Sequence, residues 1–189
     1  MKVHSILAHN KDYVIGVRDA IPWTHKGDLQ RFLKITKGHT LLMGARTFYG
    51  IINNGYFKSG QLFPGRKVFV LGSPKNDILS TTDTHQIYLK GFGHDWYAFN
   101  HEITERCKES NLRHGNVYPI LDTGSPEEIL DRIGAVEEIE TLFIAGGADI
   151  YDRFMPLSSK IYVTEISRDS LTAYPLVKLC DSTIQLLND

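Results

Sequence analysis

The chain has 189 residues, of which 42% are hydrophobic and 23% charged, and its formal net charge is -1. That balance fits a globular chain with one compact core, and the near-zero charge excludes the strong field that draws a protein onto nucleic acid or an anionic membrane. Two cysteines, Cys107 and Cys180, exclude a disulfide framework, and no apolar run nears the ~20 residues of a membrane span.

In chain order, Met1 to Ala8 lacks the apolar core of a signal peptide, so a cytoplasmic location is expected. Val3 to His9 reads as a short buried strand. Gly16 to Trp23 holds a glycine, a proline and charges and reads as loop. Asp28 to Lys37 reads as a helix with Leu29, Phe32, Leu33 and Ile35 on its apolar face and Gly38 as its stop. His39 to Met43 is a buried strand, Thr47 to Ile52 a short helix, Asn53 to Gly65 a loop, and Lys67 to Leu71 a strand.

Pro74 to Asn116 is the least legible stretch, with a strand expected at Gln86–Leu89 and a helix near Glu102 to Ser110. Its histidines, His85, His94, His101 and His114, match no zinc spacing, and no metal is expected. Val117 to Leu121 reads as a strand weakened by Pro119. Ser125-Pro126-Glu127-Glu128 opens a helix with a capping box. Thr141 to Ala145 is a strand running into Gly146-Gly147 and a helix at Ala148 to Phe154. Ile161 to Ile166 is a strand, and Thr183 to Leu187 is expected to be a last one. Strands alternating with helices argue an α/β fold: a mostly parallel central sheet flanked by helices in three α/β/α layers, with a shortened C-terminal strand region.

Two local features carry chemistry. The strand-Gly-Gly-helix unit at Leu142 to Tyr151 lets a backbone approach a ligand and aims helix N–H groups at a phosphate, although it is not the full GxGxxG fingerprint. Asp28 opens an amphipathic helix, where an acid is ordinarily a cap. Trp23, Leu29 and Phe32 lie in the same segment, and a desolvated carboxylate suits proton chemistry near neutral pH.

Five motifs in order resemble the dihydrofolate reductase family: IGVRDAIPWTHKGDLQRF at 15–32, LLMGARTF at 41–48, FPGRKVFVL at 63–71, IAGGADIY at 144–151 and IYVTEI at 161–166. The resemblance spans roughly residues 2 to 175. It implies one dihydrofolate-reductase-like domain over 1–189 with an insertion at about 74–116. It implies reduction of 7,8-dihydrofolate to 5,6,7,8-tetrahydrofolate with NADPH, sensitivity to antifolates, and no nucleic-acid or membrane partner.

The family pattern assigns catalytic roles to Asp28, Trp23 and Thr164. Its substrate site maps to Ile6, Ala8, Asp28, Leu29, Phe32, Ile51, Arg66, Ala145 and Thr164, with Arg66 facing the substrate's glutamate carboxylate. Its cofactor site maps to Ala8, Ile15, Gly16, Gly44, Ala45, Arg46, Thr47, Leu71, Gly72, Ser73, Ala145, Gly146, Gly147, Ala148, Asp149, Ile150 and Tyr151.

The departures fall mainly on the cofactor side. Ala45 stands where the family has a basic residue, Gly72 where a hydroxyl is common, and Asp149 where Arg or Ser is common. The pattern therefore implies a weakened preference for NADPH, with NADH use open. The divergent loop and short tail resemble phage- or plasmid-borne members, which would place the protein in a host cytoplasm. The short tail would expose an edge strand, to be covered by the long insertion or by a second subunit; a subunit contact is expected there, and both monomer and homodimer are carried. Two other readings share these residues: a pyrimidine reductase of riboflavin synthesis, and a non-catalytic folate- or nucleotide-binding or structural protein with this fold. Asp28, Pro22-Trp23 and Arg66 favour the folate enzyme.

Overall fold

The computed structural model describes residues 1–17, 26–57, 59–72, 94–167 and 176–189. Trp23, Ser73, most of the 16–23 loop and the expected 86–89 strand lie outside the described residues. In chain order the strands are β1 (Lys2–Asn10), β2 (Val14–Val17), β3 (Thr40–Gly44), β4 (Gly60–Gln61), β5 (Lys67–Gly72), β6 (Leu112–Arg113), β7 (Val117–Leu121), β8 (Thr141–Ile144), β9 (Lys160–Ile166) and β10 (Leu176–Lys178). The helices are α1 (Lys26–Thr36), α2 (Ala45–Asn53), α3 (His94–Glu109), α4 (Pro126–Val136), α5 (Ala148–Phe154) and α6 (Asp181–Asn188). Among the described residues, no helix is long and apolar enough to cross a membrane.

Six strands form one parallel sheet in the order β7-β5-β3-β8-β1-β9. Its inner strands are near-continuous apolar runs because both faces are covered. Alternation sends Leu42, Phe69, Leu71, Leu142 and Ile144 to one face, where they meet Ile129 and Ile133 of α4 and Phe154 of α5. Leu41, Met43, Val68, Val70 and Phe143 face the other way, onto Phe48 of α2 and Phe99 and Ile103 of α3. These two cores make the three layers read from the sequence. The capping box is formed: the Glu128 N–H donates to Ser125 Oγ at 3.2 Å, and the Ser125 N–H to Glu128 Oε2 at 3.3 Å.

The 94–109 helix is longer than the expected one. Phe99, Ile103 and Cys107 recur every fourth residue and are buried, so its inner face is a stripe at helical spacing. Burial pushes the Cys107 thiol up to about 11. Arg106 lies 5.1 Å over the Tyr49 ring of α2, and Trp96 Nε1 donates to the Pro119 carbonyl of β7 at 2.8 Å. Pro119 is tolerated because β7 is an edge strand.

The tail differs from expectation. Thr183–Leu187 lies in a helix, α6, and is not a strand. Asp181 supplies the acid of a first turn, and Thr183 Oγ1 donates to Asp152 of α5. Ile184 and Leu187, three apart, pack on the α4/α5 core, which a helix turns to one side and a strand would not. Strand pairing in this region falls instead to β10, antiparallel to β2.

Candidate functional site

Parallel α/β sheets bind ligands beyond the carboxyl ends of their strands, and the expected residues gather there. Gly44 ends β3, Gly72 ends β5, Ala145 follows β8 and Thr164 lies near the end of β9. The Gly44 N–H donates to the Gly146 carbonyl at 2.9 Å, and the Ala145 N–H to Leu42 at 2.8 Å. These bonds bring the β3–α2 and β8–α5 junctions side by side. The Gly146–Gly147 peptide is cis.

The junctions are closely packed and built on glycine. Gly44 and Gly147 cap α2 and α5 without a side-chain hydrogen bond. A Cβ on Gly147 would lie 2.8 Å from Thr47 Oγ1, and one on Gly146, at φ +106, would lie 3.2 Å from the Tyr151 hydroxyl. Only glycine fits these two positions, and α2 points the positive end of its dipole at them. The donor set fits the pyrophosphate of a dinucleotide.

Several expected cofactor residues can act only through their main chain. Leu71 and Ile150 are buried in the core. Ile15 and Gly16 sit in the β2–β10 ribbon. Ala45 explains Gly72: a Cβ at 72 would lie 2.7 Å from that of Ala45 and 2.9 Å from the Phe99 ring. Arg46 is exposed, and Ala148 lies in the first turn of α5. Asp149, the acid where Arg or Ser is common, is not isolated. Arg153 reaches it at 3.3 Å and grips Asp122 with two bonds of 2.8 and 2.9 Å. Those bonds to Asp122 hold the Arg153 guanidinium above its ordinary range, despite partial burial.

Helix α1 organises the other half. Asp28 lies half-buried in its first turn. Its charge acts on Tyr151, whose phenol is raised above the ordinary range first by burial and then by Asp28. The phenol stays protonated and donates to the Ile6 carbonyl at 2.8 Å, fixing the β1 main chain at that residue. Ala8 pairs with Thr164 in the β1–β9 register. Phe32, Ile51 and Ala145 sit half-buried against one core cluster. Leu29 lies next to Asp28 in the first turn of α1. It is 57% exposed and, with Leu33 at 43%, leaves an apolar strip along α1.

Arg66 sits at the far end of that helix. Its Nε donates to Thr36 Oγ1 at 2.8 Å, Nη1 to the Pro64 carbonyl and Nη2 to the Leu33 carbonyl, each at 2.6 Å. A guanidinium has five N–H groups, so one remains on each terminal nitrogen, the pair that a carboxylate takes bidentately. Asn116 braces the loop, its amide donating to the Leu62 and Arg66 carbonyls at 2.7 Å each. A cavity of about 580 Å³ opens beside Arg66 between His39, Lys67 and Glu140, at the amino ends of the strands. It is separate from the strand ends that gather the other residues.

Thr36, Asn116, Arg153 and Asp122 escaped sequence reading. Each is an ordinary polar residue whose partner is 30 or more positions away. Only Thr36 had a local signal, lying on the same helix face as Phe32, whose carbonyl its hydroxyl holds at 2.8 Å.

Residues 2–90 match the family model described as dihydrofolate reductase. A dihydrofolate reductase of Staphylococcus haemolyticus is 26% identical over 96% of this chain and 81% of its own length. One of Bacillus subtilis is 24% identical over 87% and 68%. The solved dihydrofolate reductase of Enterococcus faecalis, complexed with NADP(H) and RAB-propyl, superposes with a TM-score of 0.58 at 21% identity, covering 96% of this chain and 80% of that one.

Proposed function

We propose that this chain, whose residues 2–90 match the dihydrofolate reductase family model, is an enzyme of that family and reduces 7,8-dihydrofolate to 5,6,7,8-tetrahydrofolate with NADPH. One observation carries the substrate: α1 joins a carboxylate at its first turn to a guanidinium held at its last, with an exposed apolar strip between. The eight helical steps from Asp28 to Thr36 span about 12 Å. A ligand that fits has a hydrogen-bonding heterocycle, a flat apolar middle and a carboxylate tail, which is the build of a folate.

The bound dihydronicotinamide supplies the hydride. Asp28 accepts the amino and ring N–H groups of the pterin and so favours protonation of the neighbouring ring nitrogen. A protonated ring withdraws electrons from the adjacent carbon and makes it the better hydride acceptor. Thr164 supports the same edge. The Ile6 and Ala145 main chain lines the ring, and Tyr151 holds the Ile6 carbonyl in place. Phe32 and Ile51 flank the middle of the substrate, and Arg66 pairs with its carboxylate. The α2 N-terminus, Thr47 and Gly147 hold the pyrophosphate of the dinucleotide. Ala45 removes one cation from the adenosine end, so NADPH is preferred over NADH by less than in relatives with two basic residues there.

The test follows the fall in nicotinamide absorbance when dihydrofolate is added to the folded protein with NADPH, and separately with NADH. Turnover with NADPH is expected. No turnover with either would overturn the reading in favour of a non-catalytic ligand-binding protein.

A further inference from the structure

Arg31 is one helical turn from Asp28, where neighbours lie about 5–6 Å apart at Cβ. Its Nη1 donates to Thr164 Oγ1 at 2.8 Å and to the Val163 carbonyl at 3.2 Å. We propose that Arg31 is a positioning residue for the pterin end of the site, orienting the Thr164 hydroxyl as a donor into the cleft. The proposal rests on the dihydrofolate reading above.

The direction of the bond follows from chemistry. A guanidinium is permanently protonated and accepts nothing, so Thr164 Oγ1 must be the acceptor. The Thr164 proton is then turned away from Arg31, and the nearby Val163 carbonyl already receives the other Nη1 hydrogen. What remains for the hydroxyl is an acceptor on the cleft side, a carboxylate or a ring heteroatom. Without Arg31 the hydroxyl is a free rotor and acts as donor or acceptor by turns.

The location adds a second effect. β9 is an edge of the sheet, with no strand beyond it among the described residues. Arg31 ties that edge to α1, and its guanidinium stands 6.0 Å from the centre of the Tyr162 ring on the same strand. One side chain therefore fixes both the strand that carries Thr164 and the direction of its hydroxyl. Lysine at this position could offer only a point charge on a flexible stem.

A double-mutant cycle on the whole enzyme tests this with dihydrofolate and NADPH as probes. Arg31→Met removes the donors and keeps an apolar stem, and Thr164→Val removes the hydroxyl. The expected result is a loss of about five- to tenfold in kcat/KM for dihydrofolate in Arg31→Met, with KM for NADPH unchanged. In the Thr164→Val background the same change should cost less than about twofold, because the interaction is already gone. Arg31→Lys, which keeps a donor and the charge, should recover part of the loss, and it carries the cycle if the Met variant does not fold. Equal losses in both backgrounds, or a loss falling on KM for NADPH, would overturn the assignment. Wild-type enzyme without dihydrofolate turnover would overturn the underlying reading and this assignment together, whereas turnover with additive losses would overturn the assignment alone.

Discussion

The two halves of the proposed site are built from different materials. The proposed substrate half depends on single side chains held by named bonds: Arg66 by Thr36, Pro64 and Leu33, and Thr164 by Arg31. The proposed cofactor half is mostly main chain, shaped by glycines that leave no space for a Cβ at 72 or 147. A side-chain contact vanishes with one substitution. Main-chain recognition survives changes of side chain as long as the backbone keeps its path. That difference explains why the departures from the family pattern, Ala45, Gly72 and Asp149, collect on the cofactor side.

The contrast can be broken by substitution, beginning with the largest effect. Asp28→Asn should lower kcat/KM at neutral pH by about 10²–10³-fold, in the range of a lost acid–base group. Activity should recover as the pH falls and substrate arrives already protonated. A flat loss across pH would show that Asp28 only positions the ring.

Arg66→Gln should raise KM for dihydrofolate by about 10–100-fold, the equivalent of ~1.5–3 kcal/mol for a charged hydrogen-bonded pair. A pterin substrate without the glutamate should suffer a similar loss with the wild-type enzyme and little more with the variant. If the variant discriminates the two substrates as the wild type does, Arg66 does not bind the tail.

Gly147→Ala should affect only the other half. Its Cβ would press on Thr47 Oγ1, and overpacking of ~1.4 kcal/mol would raise KM for NADPH about tenfold. An unchanged KM for NADPH would remove the phosphate cradle from this account. Smallest is Ser125→Ala, which deletes a capping box remote from both halves. It should lower stability by about 1 kcal/mol in thermal denaturation and leave both KM values alone; a change in either KM would mean that α4 shapes the site.

The same contrast governs what could be read without coordinates. The parallel sheet was legible because its strands are apolar runs, and α4 because Ser125-Pro126-Glu127-Glu128 spells its start. The α6 segment was misread. Thr183 to Leu187 has strand-like composition, and what makes it helical is Asp152, some thirty residues away, accepting from Thr183. Helix α3 was found only in part because the register of Phe99, Ile103 and Cys107 becomes visible once β5 and β7 are there to bury it. In the site, Asp28 and Arg66 stood out within motifs. The roles of Arg31, Thr36 and Arg153 depend on Thr164, Arg66 and Asp122, which the fold brings to them. The meaning of Asp149 also changed, since an acid paired with Arg153 repels a phosphate less than an isolated one.

The most direct measurement is kcat/KM for dihydrofolate reduction with NADPH and with NADH, on the wild type and on Ala45→Arg. The account predicts turnover with both cofactors, a modest preference for NADPH, and a rise in that preference of about tenfold or more when the cation is restored, as a charge-assisted bond of ~1.5–3 kcal/mol requires. No turnover with either cofactor, or a preference for NADPH in the wild type as large as in Ala45→Arg, would contradict it.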